Sequence, residues 1–221
     1  MDVFHIPVTA EAKATLDEKV ISALPERLCL AASAQFVSQL PEIKKLLEAK
    51  GKKASLVEAK HTAFPGQILG CGWENLKYDE KAEAFLYIGD GMFHPKALMM
   101  AAEKDVFALD PINGSFAKLD RKEIEAVRKK TKVAIVKFLH AQNIGVLLST
   151  KPGQMMLKEA LELKKKFPDK KFYYLVSNTV EFNQLENFPF VDCFVNTACN
   201  RLIDDWEKFP KPVLNIADLP A

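Results

Sequence analysis

No two of the four cysteines, Cys29, Cys71, Cys193 and Cys199, stand in a CxxC pair, so the local spacing that builds a zinc ribbon is absent. Long apolar runs are missing too. None approaches the roughly 18 residues a spanning helix needs, and Met1-Asp2-Val3-Phe4-His5-Ile6-Pro7-Val8 lacks the charged region and apolar stretch of a signal peptide. A cytoplasmic chain without membrane contact is therefore expected. Nor is there an excess of one charge. Thirty-one basic and 29 acidic residues, mixed along the chain, give +2, which provides no polyanion-sized basic surface and does not point to nucleic acid. In a reducing compartment four cysteines are metal ligands, reactive thiols or core residues rather than a disulfide framework.

What the chain does have is apolar material, 48% of 221 residues, arranged as strand-length runs that alternate with helix-period segments. This predicts an α/β fold of two similar domains, each a small parallel sheet flanked by helices. In the first half, strands are expected over 27–32, 54–58, 84–89 and 106–109, with helices over 41–50 and 95–102. Pro41 and Gly51 bound the first of these helices. The second half repeats the order, with strands over 144–149, 172–176, 192–196 and 213–216. Its helices are expected over 154–166, near Glu181 and around Leu202. Ala84-Phe85-Leu86-Tyr87-Ile88-Gly89-Asp90 lies over Cys193-Phe194-Val195-Asn196-Thr197-Ala198-Cys199, as in an internal repeat. Asn113-Gly114-Ser115 interrupts the pattern, which places the domains at 1–116, carrying Cys71, and 117–221, carrying Cys199. A helix over 121–140 would bridge them.

Cys71 and Cys199 each follow a short apolar run that reads as a buried strand, in small-residue surroundings that leave the sulfur at a strand end. Strand ends are where parallel sheets place their chemistry. One thiol from each half suits a metal or cluster site between domains. Cys29 and Cys193 lie within apolar runs and read as small core residues.

Five motifs in order, Phe64-Pro65-Gly66-Gln67-Ile68-Leu69-Gly70-Cys71, Tyr87-Ile88-Gly89-Asp90-Gly91-Met92-Phe93-His94-Pro95, Leu109-Asp110-Pro111, Ser149-Thr150-Lys151-Pro152-Gly153-Gln154 and Val191-Asp192-Cys193-Phe194-Val195-Asn196-Thr197-Ala198-Cys199-Asn200-Arg201-Leu202-Ile203-Asp204-Asp205, resemble the archaeal diphthamide synthesis enzymes. Ile6-Pro7-Val8 and Lys211-Pro212-Val213-Leu214 extend the resemblance to both ends, although it matches only the second and third of that family's three domains. The resemblance implies a transferase of the first step of diphthamide biosynthesis. In that step a [4Fe-4S] cluster and S-adenosylmethionine deliver a 3-amino-3-carboxypropyl group to a histidine of the translocation elongation factor. It also implies Cys71 and Cys199 as the second- and third-domain cluster ligands. The first-domain cysteine has no counterpart in this sequence, so the implied partner is a second copy of the chain or a separate first-domain subunit. Asn200 stands where the family commonly has proline. Three functional readings follow: a cluster-bearing component of the transferase, a non-catalytic partner or electron-relay subunit, and an unrelated two-domain binding protein with a structural or zinc site. No catalytic acid or base is assigned.

Several residues are candidates for substrate binding beside that cluster. Ser149, Thr150, Gly153 and Gln154 form a turn expected to open a helix, whose free N–H groups can hold a carboxylate while the Gln154 amide both donates and accepts. Arg201 can pair with a carboxylate or the cluster's charge and Asp204 can orient an amine, against the plainer reading of an ion pair. His94 can donate to a substrate carboxylate or face the cluster, against the plainer reading of a helix-start histidine with a structural bond. His5, His61 and His140 have no recognisable acid–base partner, and a zinc site from His61 and Cys71 matches no known spacing. Gly89-Asp90-Gly91 lacks the third glycine of a dinucleotide fingerprint. Lys164-Lys165-Lys166 reads as a solvated helix end.

Overall fold

Strand β1 (Arg27–Ala32) is buried from Leu28 onward because both its neighbours and both its faces are covered, as its unbroken apolar run requires. The computed structural model describes residues 6, 8–60, 62–70 and 76–220, and the chain divides into two units, Met1–Ile124 and Glu125–Ala221. The first contains α1 (Glu18–Ala23), β1, α2 (Leu40–Ala49), β2 (Lys53–Leu56), β3 (Ala84–Ile88), α3 (Phe93–Ala101), β4 (Asp105–Leu109) and β5 (Phe116–Lys118). Helix α4 (Lys122–His140) runs across the division. The second holds β6 (Asn143–Ser149), α5 (Leu157–Lys166), β7 (Lys171–Ser177), β8 (Cys193–Asn196) and β9 (Val213–Asn215), with 3-10 turns over Phe182–Asn187 and Asn200–Lys208.

The sheets share one plan. Their orders are β2-β1-β3-β4-β5 and β7-β6-β8-β9, so in each unit the strands run second, first, third, fourth, and every pairing but β4 with β5 is parallel. The strands laid over each other in sequence, β3 and β8, are the third strand of their sheets. In both units this order leaves a crevice at the carboxyl ends of the first and third strands, where the connections leave in opposite directions.

Local chemistry sets the element ends. Helix α2 stops in a Schellman motif, with Gly51 at φ 80° donating to Glu48 O and Lys52 to Leu47 O, both at 3.0 Å. Each sheet is covered on both faces. Leu28, Leu30, Leu86 and Ile88 face a cluster with Leu40, Ile43 and Leu47, while Cys29, Phe85 and Tyr87 face one with Leu98, Met99 and Ile124. In the second unit Phe138, Ile144, Val146 and Val195 fill one face, and Leu147, Phe194, Ile203 and Phe209 the other. Burying each such large side chain contributes about 1.5–3 kcal/mol.

Several expectations need correction. Residues 68–70 are not a strand, since Pro65 and Gly66, the latter at φ 83°, turn the chain and leave only a bridge between Gln67 and Ala32. Asn113-Gly114-Ser115 forms the hairpin turn into antiparallel β5, with Ile112 N and Asn113 Nδ2 both donating to the Asp110 carboxylate at 2.8 Å. Helix α5 starts at Leu157 rather than Gln154, because the chain first makes a turn with Gly153 at φ 77°. The segment around Leu202 is a 3-10 helix, interrupted at Asp205. Helix α1 was not expected, although Asp17 caps it by accepting from Val20 N at 2.8 Å.

Candidate functional site

In the second unit the carboxyl ends of β6, β8 and β9 converge on the loop that carries Cys199. Thr197, fully buried, donates twice to Leu147 O on β6, from its N–H at 3.0 Å and from Oγ1 at 2.7 Å. Asn196, the last residue of β8, accepts from Ala198 N at 3.0 Å and donates Nδ2 to Cys199 O at 2.8 Å. Its other amide hydrogen goes to Asn215 Oδ1 at 2.8 Å, and Asn215 donates to Asn200 O at 2.9 Å. Leu202 N adds a bond to Cys199 O at 2.9 Å. A cysteine loop anchored to three strands is rigid at its backbone, while the cysteine itself stays half-buried.

Cys199 differs from the other thiols in the described residues. Cys29 and Cys193 are both fully buried in their strands. Burial raises the Cys29 pKa, and it pushes the Cys193 thiol up to about 12 despite the opposing charge of Lys170. Both therefore stay protonated and out of reach, whereas a metal ligand must be an accessible thiolate. Cys199, half-buried at the strand end, is the accessible one of the three. Cys71, expected as its counterpart, and His61, weighed with it for zinc, lie outside the described residues, as does His5. Among the described residues no group of three or more His, Cys, Asp or Glu side chains is placed to hold a metal ion.

The turn at residues 149–154 leaves the end of β6, the strand next to β8. Buried Ser149 closes it by accepting from Lys151 N at 3.1 Å, and Thr150 N is tied to Ser177 O at 3.0 Å. Thr150 and Gly153 are exposed and Gln154 half-buried. Because α5 begins beyond them, helix N–H groups are not part of this turn. Arg201 is buried and held by Asp204, with Nε donating to Oδ2 at 2.7 Å and Nη2 to the same oxygen at 2.5 Å. Arg201 is thus turned into the protein with Asp204 at the surface, and the pair braces the segment after Cys199.

The matching edge of the first unit carries a different group. Tyr87, fully buried, shares a hydrogen bond with His94 Nδ1 at 3.3 Å, and the two rings stack 5.8 Å apart. Burial raises the Tyr87 pKa, so the phenol stays neutral. A methyl group on Gly89 would meet the Tyr87 oxygen at 2.4 Å, which explains the glycine there. The residues leading to Cys71 are equally constrained. Gln67 Oε1 accepts from Ala63 N at 3.0 Å, and Gly70 lies so near Phe93 that a methyl group would meet its ring at 1.8 Å. Asn196, Thr197, Asn215, Tyr87 and Gln67 were not singled out in sequence. The available signal was a polar residue ending an apolar strand, as in Val195-Asn196 and Leu214-Asn215.

Two α/β units with the same parallel strand order, the second with a cysteine on an anchored loop at its strand ends, define an open α/β protein of repeated units. The diphthamide synthesis protein family profile matches residues 1–220, and the chain belongs to this family. The 2-(3-amino-3-carboxypropyl)histidine synthase of Pyrococcus horikoshii is 35% identical over 198 residues, covering 88% of this chain and 56% of that protein. The crystal structure of Dph2 from Pyrococcus horikoshii aligns with a TM-score of 0.76 at 34% identity, covering 90% of this chain and 57% of the other. A second structure of that protein, with a 4Fe-4S cluster, aligns with a TM-score of 0.73 at 33% identity and the same coverage. The chain thus spans little more than half the length of these relatives.

Proposed function

We propose that the chain is a cluster-bearing component of the enzyme that performs the first step of diphthamide biosynthesis, in which a 3-amino-3-carboxypropyl group passes from S-adenosylmethionine to a histidine of the translocation elongation factor. The observation that carries this reading is the contrast among thiols: Cys199 sits half-buried on an anchored strand-end loop, while Cys29 and Cys193 are sealed in the cores. The names of the relatives and the 4Fe-4S cluster of the Pyrococcus structure supply the chemistry. Cys199 and Cys71 are the two thiolates this sequence offers to such a cluster. When bound, the cluster supplies one electron at low potential for cleaving the bond between sulfur and Cγ of S-adenosylmethionine. The turn closed by buried Ser149 offers the exposed Thr150 and Gly153 and the half-buried Gln154 amide to the amino acid end of that cosubstrate, while Arg201 and Asp204 brace the segment after Cys199. His94, hydrogen-bonded to Tyr87, is the first unit's contribution. Because Cys29 and Cys193 are sealed in the cores and add nothing to a cluster, an electron-relay or non-catalytic partner role is the second reading. Either role places the chain in the cytoplasm with its protein substrate.

Anaerobic reconstitution with iron and sulfide tests this. Parent chain, with its partner subunit if one is required, should show a [4Fe-4S] electron paramagnetic resonance signal and carboxypropyl transfer to elongation factor. Cys199→Ser should lose the signal. Full cluster content in Cys199→Ser would refute the ligand assignment, and an intact cluster without transfer in any combination would favour the second reading.

A further inference from the structure

Asn196 and Asn215 are aligned partners in the parallel ladder of β8 and β9, and both are buried, at 1% and 3% exposure. Two neighbouring strands therefore end in the same side chain at the same level. Asn196 spends both amide hydrogens and its oxygen on Cys199 O, Asn215 Oδ1 and Ala198 N, and Asn215 passes its own donor to Asn200 O. Those bonds hold the main chain immediately before, at and after one residue. A loop leaving a strand needs no such fixing merely to turn, and Thr197 already ties it to β6.

We propose that Asn196 and Asn215 are positioning residues for the Cys199 sulfur, forming a carboxamide clamp that fixes the backbone so that Sγ is limited to its staggered χ1 positions. This rests on the reading of Cys199 as a cluster ligand. The clamp needs carboxamides in particular. Each must donate to a carbonyl while accepting from a neighbour, which a carboxylate cannot do and a serine is too short to do. An outer group that orients a metal ligand commonly changes affinity by about 10–100-fold when lost.

Three measurements test the clamp. In the metal-free parent chain, the Ala198 amide should exchange with deuterium at least about tenfold more slowly than an unstructured amide; exchange at the free rate would overturn the proposal by itself. In metal-free Asn215→Asp, which removes the donor to Asn200 O, site-resolved alkylation should find Cys199 reacting at least about threefold faster, as expected when a locally ordered loop opens. After reconstitution, the same variant should keep its fold by circular dichroism but show a broadened cluster signal and at least about tenfold weaker iron retention against chelator. A folded Asn215→Asp with parental alkylation rate and line shape would overturn the proposal. If that variant fails to fold, Asn215→Ser is measured in the same way. Should Cys199→Ser retain its cluster, the ligand reading fails while exchange and alkylation still decide whether the clamp exists.

Discussion

Replacing Lys170 by methionine should destabilise the second unit by about 2 kcal/mol. Lys170 is only 8% exposed, and its ammonium donates to Ala141 O at 2.6 Å and Leu139 O at 3.1 Å, the carbonyls at the end of α4. It also lies 5.0 Å from the centre of the Phe138 ring. Methionine keeps the stem's volume, so packing changes little. Bonds from a charged donor are each worth about 1.5–3 kcal/mol. The bond to Ala141 O is buried, so its loss leaves an orphaned carbonyl, whereas the partly exposed Leu139 O can turn to water. Relief from holding an ammonium out of water offsets part of the loss. At about 2–4 °C per kcal/mol for a chain of this size, the melting temperature should drop by roughly 4–8 °C. Urea unfolding followed by Trp206 fluorescence in a Trp73→Phe background reads it directly. A Lys170→Met chain as stable as the parent would show that desolvation outweighs the bonds and that Lys170 does not cap the helix.

Cys193, pushed up to about 12 by burial, should make the chain lose stability as pH rises from about 9 to 12, because the unfolded thiol releases its proton first. The slope from this group is at most about 1.4 kcal/mol per pH unit; Cys193→Ala should be correspondingly less steep, and an unchanged slope would refute the buried thiol's part in it. Gly66→Ala combines a φ of 83° with a methyl contact to Leu40 at 2.3 Å, whereas Gly91→Ala at φ 64° enters open space. The first should cost about 2 kcal/mol or more and the second about 1, and equal losses in urea would sink the steric argument.

The core strands were legible because burial on both faces forces continuous apolar runs: residues 27–32 matched β1 at both ends, and the overlay of β3 on β8 anticipated the shared strand order. Short elements were harder. β5 has three residues, half-buried at most, and its Phe116-Ala117-Lys118 carries no strand period of its own until Phe107, Ala108 and Leu109 lie beside it. The Gly153-Gln154 turn resembled a helix start because glycine and a polar residue before an apolar helix look alike whether the helix follows at once or two residues later. Cys199 could be selected from its strand-end setting, but its clamp could not, since Asn215 becomes its neighbour only when β9 pairs with β8. Nothing local to residue 215 announces that partnership.

That long-range pairing also sets an order in time. A chain is synthesised from its amino end, so Cys199 is made before Asn215, the residue 15 positions beyond Asn200 whose amide closes the loop. The nascent cysteine thus has a period in which β6 and β8 can exist but its backbone is held on one side only. Iron arriving then would meet a mobile thiol rather than a shaped ligand. On the ligand reading proposed for Cys199, maturation of the site waits on β9, and metal loading belongs after synthesis of this unit rather than alongside it.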